Sequence, residues 1–314
     1  MNLILCRTPF QARLILNYLQ RKLIETNFDL IYCTDNNSKI DQYYFQELRS
    51  LSSVHSYVVC NSFRNDFVTQ VFLSYKLWRL TRKKQYNSVY IASIDIYYFR
   101  RIASNAKRII VFDDGLGSFI PHESKLDNHP FRKYIYLKLL WRIPNIEKFM
   151  KMISKFLTIY SIRQPGSFLH MCPDDKIQLI EVFSYNVINL KDSKPSINIF
   201  IGQNFYNAPD EIFIRKVKDY LTSQKVDLYL THPQEKTPLL NGDIVYHDKT
   251  LLSEDIINLL SEYYEINLYS CFSTVIFNVH RLISNLNLIL DSKSEYFENY
   301  VTTSESLNCN TIIL

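Results

Sequence analysis

Short apolar runs alternate with longer amphipathic stretches along the first 114 residues of the chain. Runs rich in β-branched and aromatic residues favour β-strands, whereas apolar residues at spacings of three and four favour helices. The predicted strands lie at residues 2–6, 28–34, 54–60, 88–93 and 108–114. Stretches with helical spacing separate them, and strands that alternate with helices predict βαβ units and a parallel sheet.

The same alternation returns after residue 190. The predicted strands of this second part lie at residues 197–202, 226–231, 265–270 and 286–290. Between the two parts, residues 119–190 are basic and aromatic, and their pattern predicts mostly helical structure. The sequence therefore predicts two Rossmann-like α/β domains, residues 1–190 and 191–314, with parallel sheets that face a cleft.

Charge and hydropathy limit the class of protein. A net charge of +5 over 314 residues is too small for a typical nucleic-acid-binding domain, so no nucleic acid partner is expected. Basic and aromatic residues do cluster at residues 76–84 and 131–155. Such segments form either solvated amphipathic helices or helices that lie on an anionic membrane surface. No 18 apolar residues follow one another, which predicts a cytoplasmic protein, with peripheral contact with the inner face of the membrane as an alternative.

The six cysteines are scattered and form no Cys-x-x-Cys pair. This usage indicates buried thiols in a reducing compartment rather than a disulfide framework or a zinc site. The chain also has no phosphate-binding loop of the GxxxxGK type, no GxGxxG fingerprint and no GxSxG elbow.

Unusual polar residues follow four of the predicted strands. DDGLG follows RIIVF, QNFYNAPD follows INIFIG, HPQEK follows VDLYLT, and SCFST follows EINLY. In parallel α/β sheets the loops at the carboxyl ends of the strands line the ligand crevice. These four loops are therefore the candidate functional segments.

Two of these loops favour phosphate chemistry. Ser270, Ser273 and Thr274 lie where a strand turns into a helix, so hydroxyl and backbone N–H groups can bind a phosphate there. Their alternative role is ordinary helix capping. His232 lies at a strand end, where an imidazole can bind or protonate a leaving phosphate, and its alternative role is that of a turn residue.

The other two loops carry carboxylates. Asp210 opens a predicted helix and is either a general base or a helix cap. Asp113 and Asp114 precede Gly115 and Gly117, in a chain with only five glycines where about 22 would be expected at average usage. Glycines permit a close approach of backbone to ligand, so the acidic loop can bind metal, orient a sugar or supply a base. A tight structural turn is the alternative.

Taken together, these residues resemble glycosyltransferase family 52, the bacterial lipooligosaccharide and capsule sialyltransferases. The opening NLILCRTPFQ is similar to the family's start, with its Cys-x-Thr-x-x-Gln pattern. YYFQEL, YIAS, FDDGLG, the strand that ends at Gly202, Pro209–Asp210, His232–Pro233 and YEINLYSCFS follow in the family's order. The resemblance covers nearly the whole chain.

The resemblance implies a GT-B fold and inverting transfer of sialic acid from CMP-sialic acid to a galactose-type acceptor, without metal or other cofactor. It implies that Asp210 is the general base and His232 the general acid, with Asp114 as the alternative base. It also implies a set of residues that bind the cytidine nucleotide. These are Thr231, His232, Pro233, Glu254, Asp255, Ile256, Ile257, Asn258, Phe272, Ser273 and Thr274.

Two other functions stay open at this point. The family also contains glucosyltransferases, so a hexosyltransferase that uses a UDP-sugar is one alternative. A non-catalytic protein that binds nucleotide or sugar during envelope assembly is the other. A homodimer is compatible with the helical middle of the chain, and neither the linkage nor the acceptor glycan follows from the residues.

Overall fold

The computed structural model describes most of the chain. The described residues are 1–25, 27–35, 37–59, 67–113, 143–160, 163, 166–180, 194–203, 210–232, 235, 237–242, 244–246, 250–271, 273–294 and 297–314. They belong to two compact units, Met1–Val182 and Phe183–Leu314. Within the described ranges, no helix is long and apolar enough to cross a membrane.

The N-terminal unit contains a parallel sheet in the order β3-β2-β1-β4-β5-β6-β7. Its strands are β1 (Asn2–Cys6), β2 (Phe28–Thr34), β3 (Val54–Val59), β4 (Ser88–Ile91), β5 (Arg108–Phe112), β6 (Lys155–Thr158) and β7 (Ile177–Leu179). Its α-helices are α1 (Pro9–Gln20), α2 (Lys39–Leu51), α3 (Phe67–Thr81), α4 (Tyr97–Ala103), α5 (Ile146–Met152) and α6 (Phe168–Met171). The chain runs from β1 outward to β3 and then returns to β4, so the order of strands reverses between β1 and β4.

Buried central strands explain the apolar runs of the sequence. Every residue of β1 and β2 is buried, as expected for parallel strands that are covered on both faces. Tyr18 of α1 and Phe112 of β5 are fully buried and meet edge to face, with ring centroids 6.3 Å apart. The core of this unit therefore forms where the helices pack onto the sheet.

Local capping fixes where the first two helices begin. The Thr8 hydroxyl accepts a hydrogen bond from the backbone N–H of Gln11, and Pro9 occupies the first turn of α1. Ser38 and Asp41 form a reciprocal capping box at the start of α2. These residues anchor the two strand-to-helix turns at the carboxyl edge of the sheet.

The C-terminal unit contains a second parallel sheet in the order β10-β9-β8-β11-β12-β13. Its strands are β8 (Ser196–Ile201), β9 (Leu228–Leu230), β10 (Val245–Tyr246), β11 (Glu265–Cys271), β12 (Asn285–Leu290) and β13 (Asn310–Ile313). Its α-helices are α7 (Glu211–Ser223), α8 (Ser253–Ser261), α9 (Thr274–Val279) and α10 (Phe297–Ser306). The order of strands reverses between β8 and β11.

The predicted α/β fold class is confirmed, and the first sheet contains two strands that the sequence pattern does not predict. Residues 119–190 are predicted to be mostly helical, and in the described part of this range β6 and β7 lie beside α5 and α6 and extend the first sheet. Both strands are short, and β6 begins with an exposed lysine that obscures its apolar pattern. Pairing of β6 with β5 and of β7 with β6, rather than local propensity, makes these residues extended.

Candidate active site

Three of the four candidate loops follow strands of the second sheet. All strand pairs of this sheet are parallel, so the loops after β8, β9 and β11 leave the same edge. Gly202 follows β8, Thr231 and His232 follow β9, and Ser273 follows β11. Since β8 and β11 flank the reversal of strand order, this edge is where an α/β sheet ordinarily binds its ligand.

Asp210 is the N-cap of α7. One of its carboxylate oxygens accepts a hydrogen bond from the backbone N–H of Ile212 (2.8 Å), and the other lies 3.6 Å from Nζ of Lys293. The hydrogen bond from Ile212 and the charge of Lys293 hold the pKa of the Asp210 carboxyl below its ordinary value. Asp210 is therefore ionised at neutral pH, and the oxygen that does not cap the helix can accept a proton.

His232 is held at the end of β9 by Glu235. The backbone N–H of His232 donates to a Glu235 carboxylate oxygen (3.0 Å), and the His232 carbonyl accepts from the backbone N–H of Glu235 (2.9 Å). Glu235 is buried, and its second oxygen accepts a hydrogen bond from the Tyr229 hydroxyl. These contacts close a tight turn that fixes where the partly exposed His232 leaves the sheet.

Gly202 lets this turn pack against the end of β8. Its N–H donates to the carbonyl of Leu230 (2.8 Å). A Cβ atom at this position would overlap the Glu235 carboxylate and would lie 2.9 Å from both the His232 backbone nitrogen and Cε2 of Tyr229. Only glycine fits without displacing the His232 turn.

Hydroxyl groups near this edge already have partners. The Thr231 hydroxyl donates to the carbonyl of Tyr246 (3.2 Å), and the buried Ser270 hydroxyl donates to the carbonyl of Cys271. Ser273 is the N-cap of α9, accepting from the N–H of Val275 at 3.4 Å, and Thr274 is the first residue of that helix. Ser273 and Thr274 are half-buried, so both are accessible in part at this edge.

Residues 254–258 lie in the first half of α8, and some of their side chains are buried whereas others are partly exposed. Glu254 is buried and accepts a hydrogen bond from the side-chain amide of Asn278 on α9 (2.8 Å), which links the two helices. Ile257 is fully buried in the core. Asp255, Ile256 and Asn258 are half-buried and are the members of this segment with exposed side-chain surface.

The acidic pair of the N-terminal unit is described only at its first member. Asp113 is fully buried, and its two carboxylate oxygens accept from the Thr158 hydroxyl (3.0 Å) and from the backbone N–H of Ile159 (2.5 Å). Asp113 therefore ties the end of β5 to the end of β6 and has a structural role. Asp114, Gly115 and Gly117 lie outside the described residues, as do Pro233 and Phe272.

No group of three or more His, Cys, Asp or Glu side chains with a geometry for metal binding occurs within the described ranges. Five cysteines lie within the described ranges, and none of them forms a disulfide. Burial and the neighbouring Glu235 carboxylate raise the pKa of the Cys271 thiol to about 12, so this thiol is neutral and unreactive at physiological pH.

Residues 19–287 match the sequence profile of Glycosyltransferase family 52, which is most of the chain. The chain belongs to glycosyltransferase family 52. A curated relative from Pasteurella multocida (strain Pm70), a CMP-N-acetylneuraminate:beta-galactoside alpha-2,3-sialyltransferase, is 23% identical over 320 residues, which cover 99% of each chain. This similarity agrees with the resemblance found in the ordered motifs.

Solved structures support the same fold for this family 52 glycosyltransferase. The glycosyltransferase of kitacinnamycin matches all of the chain and 86% of its own length, with a TM-score of 0.60 and 9% identity. A spinosyn rhamnosyltransferase complexed with thymidine diphosphate matches to the same extent, with a TM-score of 0.58 and 10% identity. At this identity the likeness concerns the fold, and together with the two parallel sheets it establishes the predicted GT-B class.

Two residues of this family 52 chain, Glu235 of HPQEK and Gln11 of the opening motif, have structural roles that the motifs alone do not assign. Glu235 lies three positions after His232, a spacing that a tight turn brings together, and that spacing was the available signal. Gln11 is fully buried in the first turn of α1, accepting from the backbone N–H of Arg7 after β1 (2.7 Å) and donating to the Ser93 hydroxyl after β4 (2.8 Å). Gln11 thereby joins the two strands that flank the reversal of the first sheet.

Proposed function

We propose that this glycosyltransferase transfers sialic acid from CMP-sialic acid to a terminal galactose-type sugar of a bacterial surface glycan, either lipooligosaccharide or capsule. The observation that carries the proposal is the full-length similarity to a curated sialyltransferase, together with the family match. We further propose that the enzyme works in the cytoplasm and inverts the configuration of the transferred sugar.

The geometry of the second sheet supports a division of roles. One carboxylate oxygen of Asp210 does not cap α7 and faces Lys293, so we assign Asp210 as the base that accepts the proton of the acceptor hydroxyl. His232, positioned by Glu235, is assigned as the acid that protonates the phosphate of the departing CMP. Asp114 of the N-terminal unit is the alternative base.

The leaving group of the proposed donor explains why the proposed site does not require a metal ion. CMP leaves as a monophosphate, so it lacks the diphosphate that a metal ion commonly clamps in other sugar transfers. A histidine together with hydroxyl and backbone N–H donors supplies the electrostatic stabilisation that the developing charge requires. Thr231, Ser273 and Thr274, with the accessible members of residues 254–258, are the proposed contacts of the nucleotide.

Binding calorimetry tests the nucleotide directly. We expect CMP to bind with measurably higher affinity than UDP, because CMP is the leaving group of the proposed reaction. His232→Ala should weaken CMP binding, since the imidazole contacts the phosphate. Preferential binding of UDP would instead favour a hexosyltransferase of the same family, and binding of either nucleotide without turnover would favour a non-catalytic role.

Metal independence is a separate prediction. We expect the rate of sialyl transfer to be unchanged in excess EDTA, because His232 and neutral donors stabilise the leaving phosphate in the proposed mechanism. The measurement is the initial rate with and without chelator, followed by addition of Mg²⁺ or Mn²⁺. Loss of activity in EDTA that either ion restores would contradict the prediction and would make the DDGLG loop a candidate metal site.

A further inference from the structure

The outer face of α3 exposes large apolar side chains. The helix packs its inner side, including Leu73 and Leu77, into the N-terminal unit. On the opposite side Phe72 is 69% exposed and Tyr75 is 50% exposed, and Leu80 adds 39% exposure near the end of the helix. Aromatic residues that are exposed on one face of a surface helix indicate an interaction site rather than a core.

The same face is strongly cationic. Residues 67–84 contain five lysine or arginine residues and no aspartate or glutamate. Lys76 and Arg79 are exposed and recur at helical spacing with Phe72, so they share its side of the helix, and the exposed Lys83 lies in the turn that follows the helix. Tyr75, Trp78 and Arg82 continue along the flank, with the Arg82 guanidinium 4.8 Å from the centre of the Trp78 ring.

A groove of about 300 Å³ runs beside this flank, between α3 and α4. Its described lining includes Trp78, Arg82, Lys84, Arg101 and Asn105, and no carboxylate side chain is among the described lining residues. The ammonium of Lys84 forms an ion pair with the buried Asp29 (2.6 Å), so its charge is compensated, and the exposed Arg82 supplies cationic donors at the groove. A groove with cationic and amide donors and an aromatic wall is suited to a phosphate that carries an apolar body.

We infer that the outer face of α3 and the adjoining groove dock this protein on an anionic phospholipid surface. Phe72 and Tyr75 enter the interface at the level of the headgroups, and the cations contact the lipid phosphates. Interfacial helices combine these two features, a basic polar face and aromatic residues beside it. A symmetric pairing of two such faces is disfavoured, because it would bring eight exposed cations together, Lys76, Arg79, Arg82 and Lys83 from each copy, without a carboxylate from residues 67–84 of either copy.

The second basic segment of the sequence does not share these features in its described part. α5, within residues 131–155, buries Ile146, Phe149 and Met150 in the core. On its exposed side, Lys151 pairs with Glu147 at 2.7 Å. Residues 131–142 lie outside the described residues, so the inference rests on α3 alone.

Vesicle sedimentation tests the inference on the full chain. We expect binding to vesicles that contain phosphatidylglycerol, weaker binding to pure phosphatidylcholine, and a decrease of binding as salt is added. The double variant Arg79→Glu/Lys83→Glu should lose at least tenfold in affinity for the anionic vesicles, because each cation contributes about fivefold. Phe72→Ser/Tyr75→Ser should remove the part of the binding that resists salt.

A matched control variant distinguishes an effect of the α3 surface from an effect of the protein's net charge. Lys216 and Lys218 are exposed on α7 in the other unit, and Lys216→Glu/Lys218→Glu changes the net charge by the same amount. Retained vesicle binding in this control, with loss in the α3 variants and unchanged circular dichroism, supports the inference. The inference is overturned if the protein binds neither kind of vesicle, or binds both lipid compositions equally. It is also overturned if the α7 control loses as much binding as the α3 variants, or if the protein binds heparin, a soluble polyanion, more tightly than anionic vesicles. Because no sugar nucleotide is present, failure of this test leaves the donor proposal unaffected.

Discussion

Asp210→Asn should lower kcat by about 10² or more, since general-base catalysis typically contributes 10²–10⁴. Asparagine is as good an N-cap as aspartate, so its side-chain oxygen can keep the hydrogen bond from the N–H of Ile212 that begins α7. The substitution therefore removes the proton acceptor while the helix stays formed. Circular dichroism and calorimetry with CMP should show little change. A lower kcat with unchanged folding and unchanged CMP affinity would indicate loss of the proton acceptor rather than loss of structure.

Asp114→Asn is the necessary companion variant. If Asp210 is the base, Asp114→Asn should mainly raise the KM for the acceptor. A near-normal kcat in Asp210→Asn, beside an inactive Asp114→Asn with intact CMP binding, would place the base in the N-terminal unit and leave Asp210 as a helix cap.

The pH profile of kcat supplies a second readout of the same assignment. Because the pKa of Asp210 is lowered, its ionised form persists to lower pH, and activity should fall only below the ordinary range of an aspartate. Lys293→Met removes a charge that favours ionisation, so it should raise that pKa and move the acid limb of the profile upward.

Gly202→Ala should lower kcat/KM by about 10². The new Cβ would lie 2.9 Å from the His232 backbone nitrogen and would overlap the Glu235 carboxylate, so the His232 turn must move. A displacement of about 1 Å at a catalytic group can cost that factor in rate. Affinity for CMP should fall as well, because His232 contacts the departing phosphate in the proposed mechanism, and His232→Ala should show the same pair of effects.

Gly242→Ala is the matched control for this prediction. Gly242 has a φ of +105°, and nothing lies within 4 Å of a Cβ built there. Alanine at this position should therefore cost about 1–3 kcal/mol of stability through backbone strain while leaving kcat/KM near normal. The measurements are kcat/KM and the midpoint of thermal unfolding for both variants. A normal kcat/KM in Gly202→Ala would mean that the His232 turn has no part in catalysis.

The sequence pattern predicted the parts of the site that depend on topology. Once strands alternate with helices, a parallel sheet follows, and Gly202, His232 and Ser273 must leave its carboxyl edge. The pattern could not separate Asp113 from Asp114, because the burial of Asp113 depends on Thr158 and Ile159, more than 40 residues away. The role of Glu235 could not be predicted for a related reason. Its partner Tyr229 lies within a strand, where the sequence pattern indicates an ordinary core residue.

The errors in the fold have a similar origin. β7 (Ile177–Leu179) and β10 (Val245–Tyr246) are too short to show an alternating pattern, so only pairing with a neighbouring strand defines them. Long buried strands such as β2 were recognised because burial on both faces requires an apolar run. Very short edge strands such as β7 and β10 carry no such requirement, and local sequence therefore says little about them, whereas the six-residue edge strand β3 is predicted.

Sialyl transfer itself is the measurement that bears most directly on the proposed function. The purified protein would be incubated with CMP-sialic acid and a lactose-type acceptor, and both products would be quantified. The account predicts formation of sialylated acceptor and CMP in equal amounts, at a rate that Asp210→Asn lowers by about 10². Transfer from a UDP-sugar with no turnover of CMP-sialic acid, or no transfer from either donor by a folded protein that binds CMP, would contradict it.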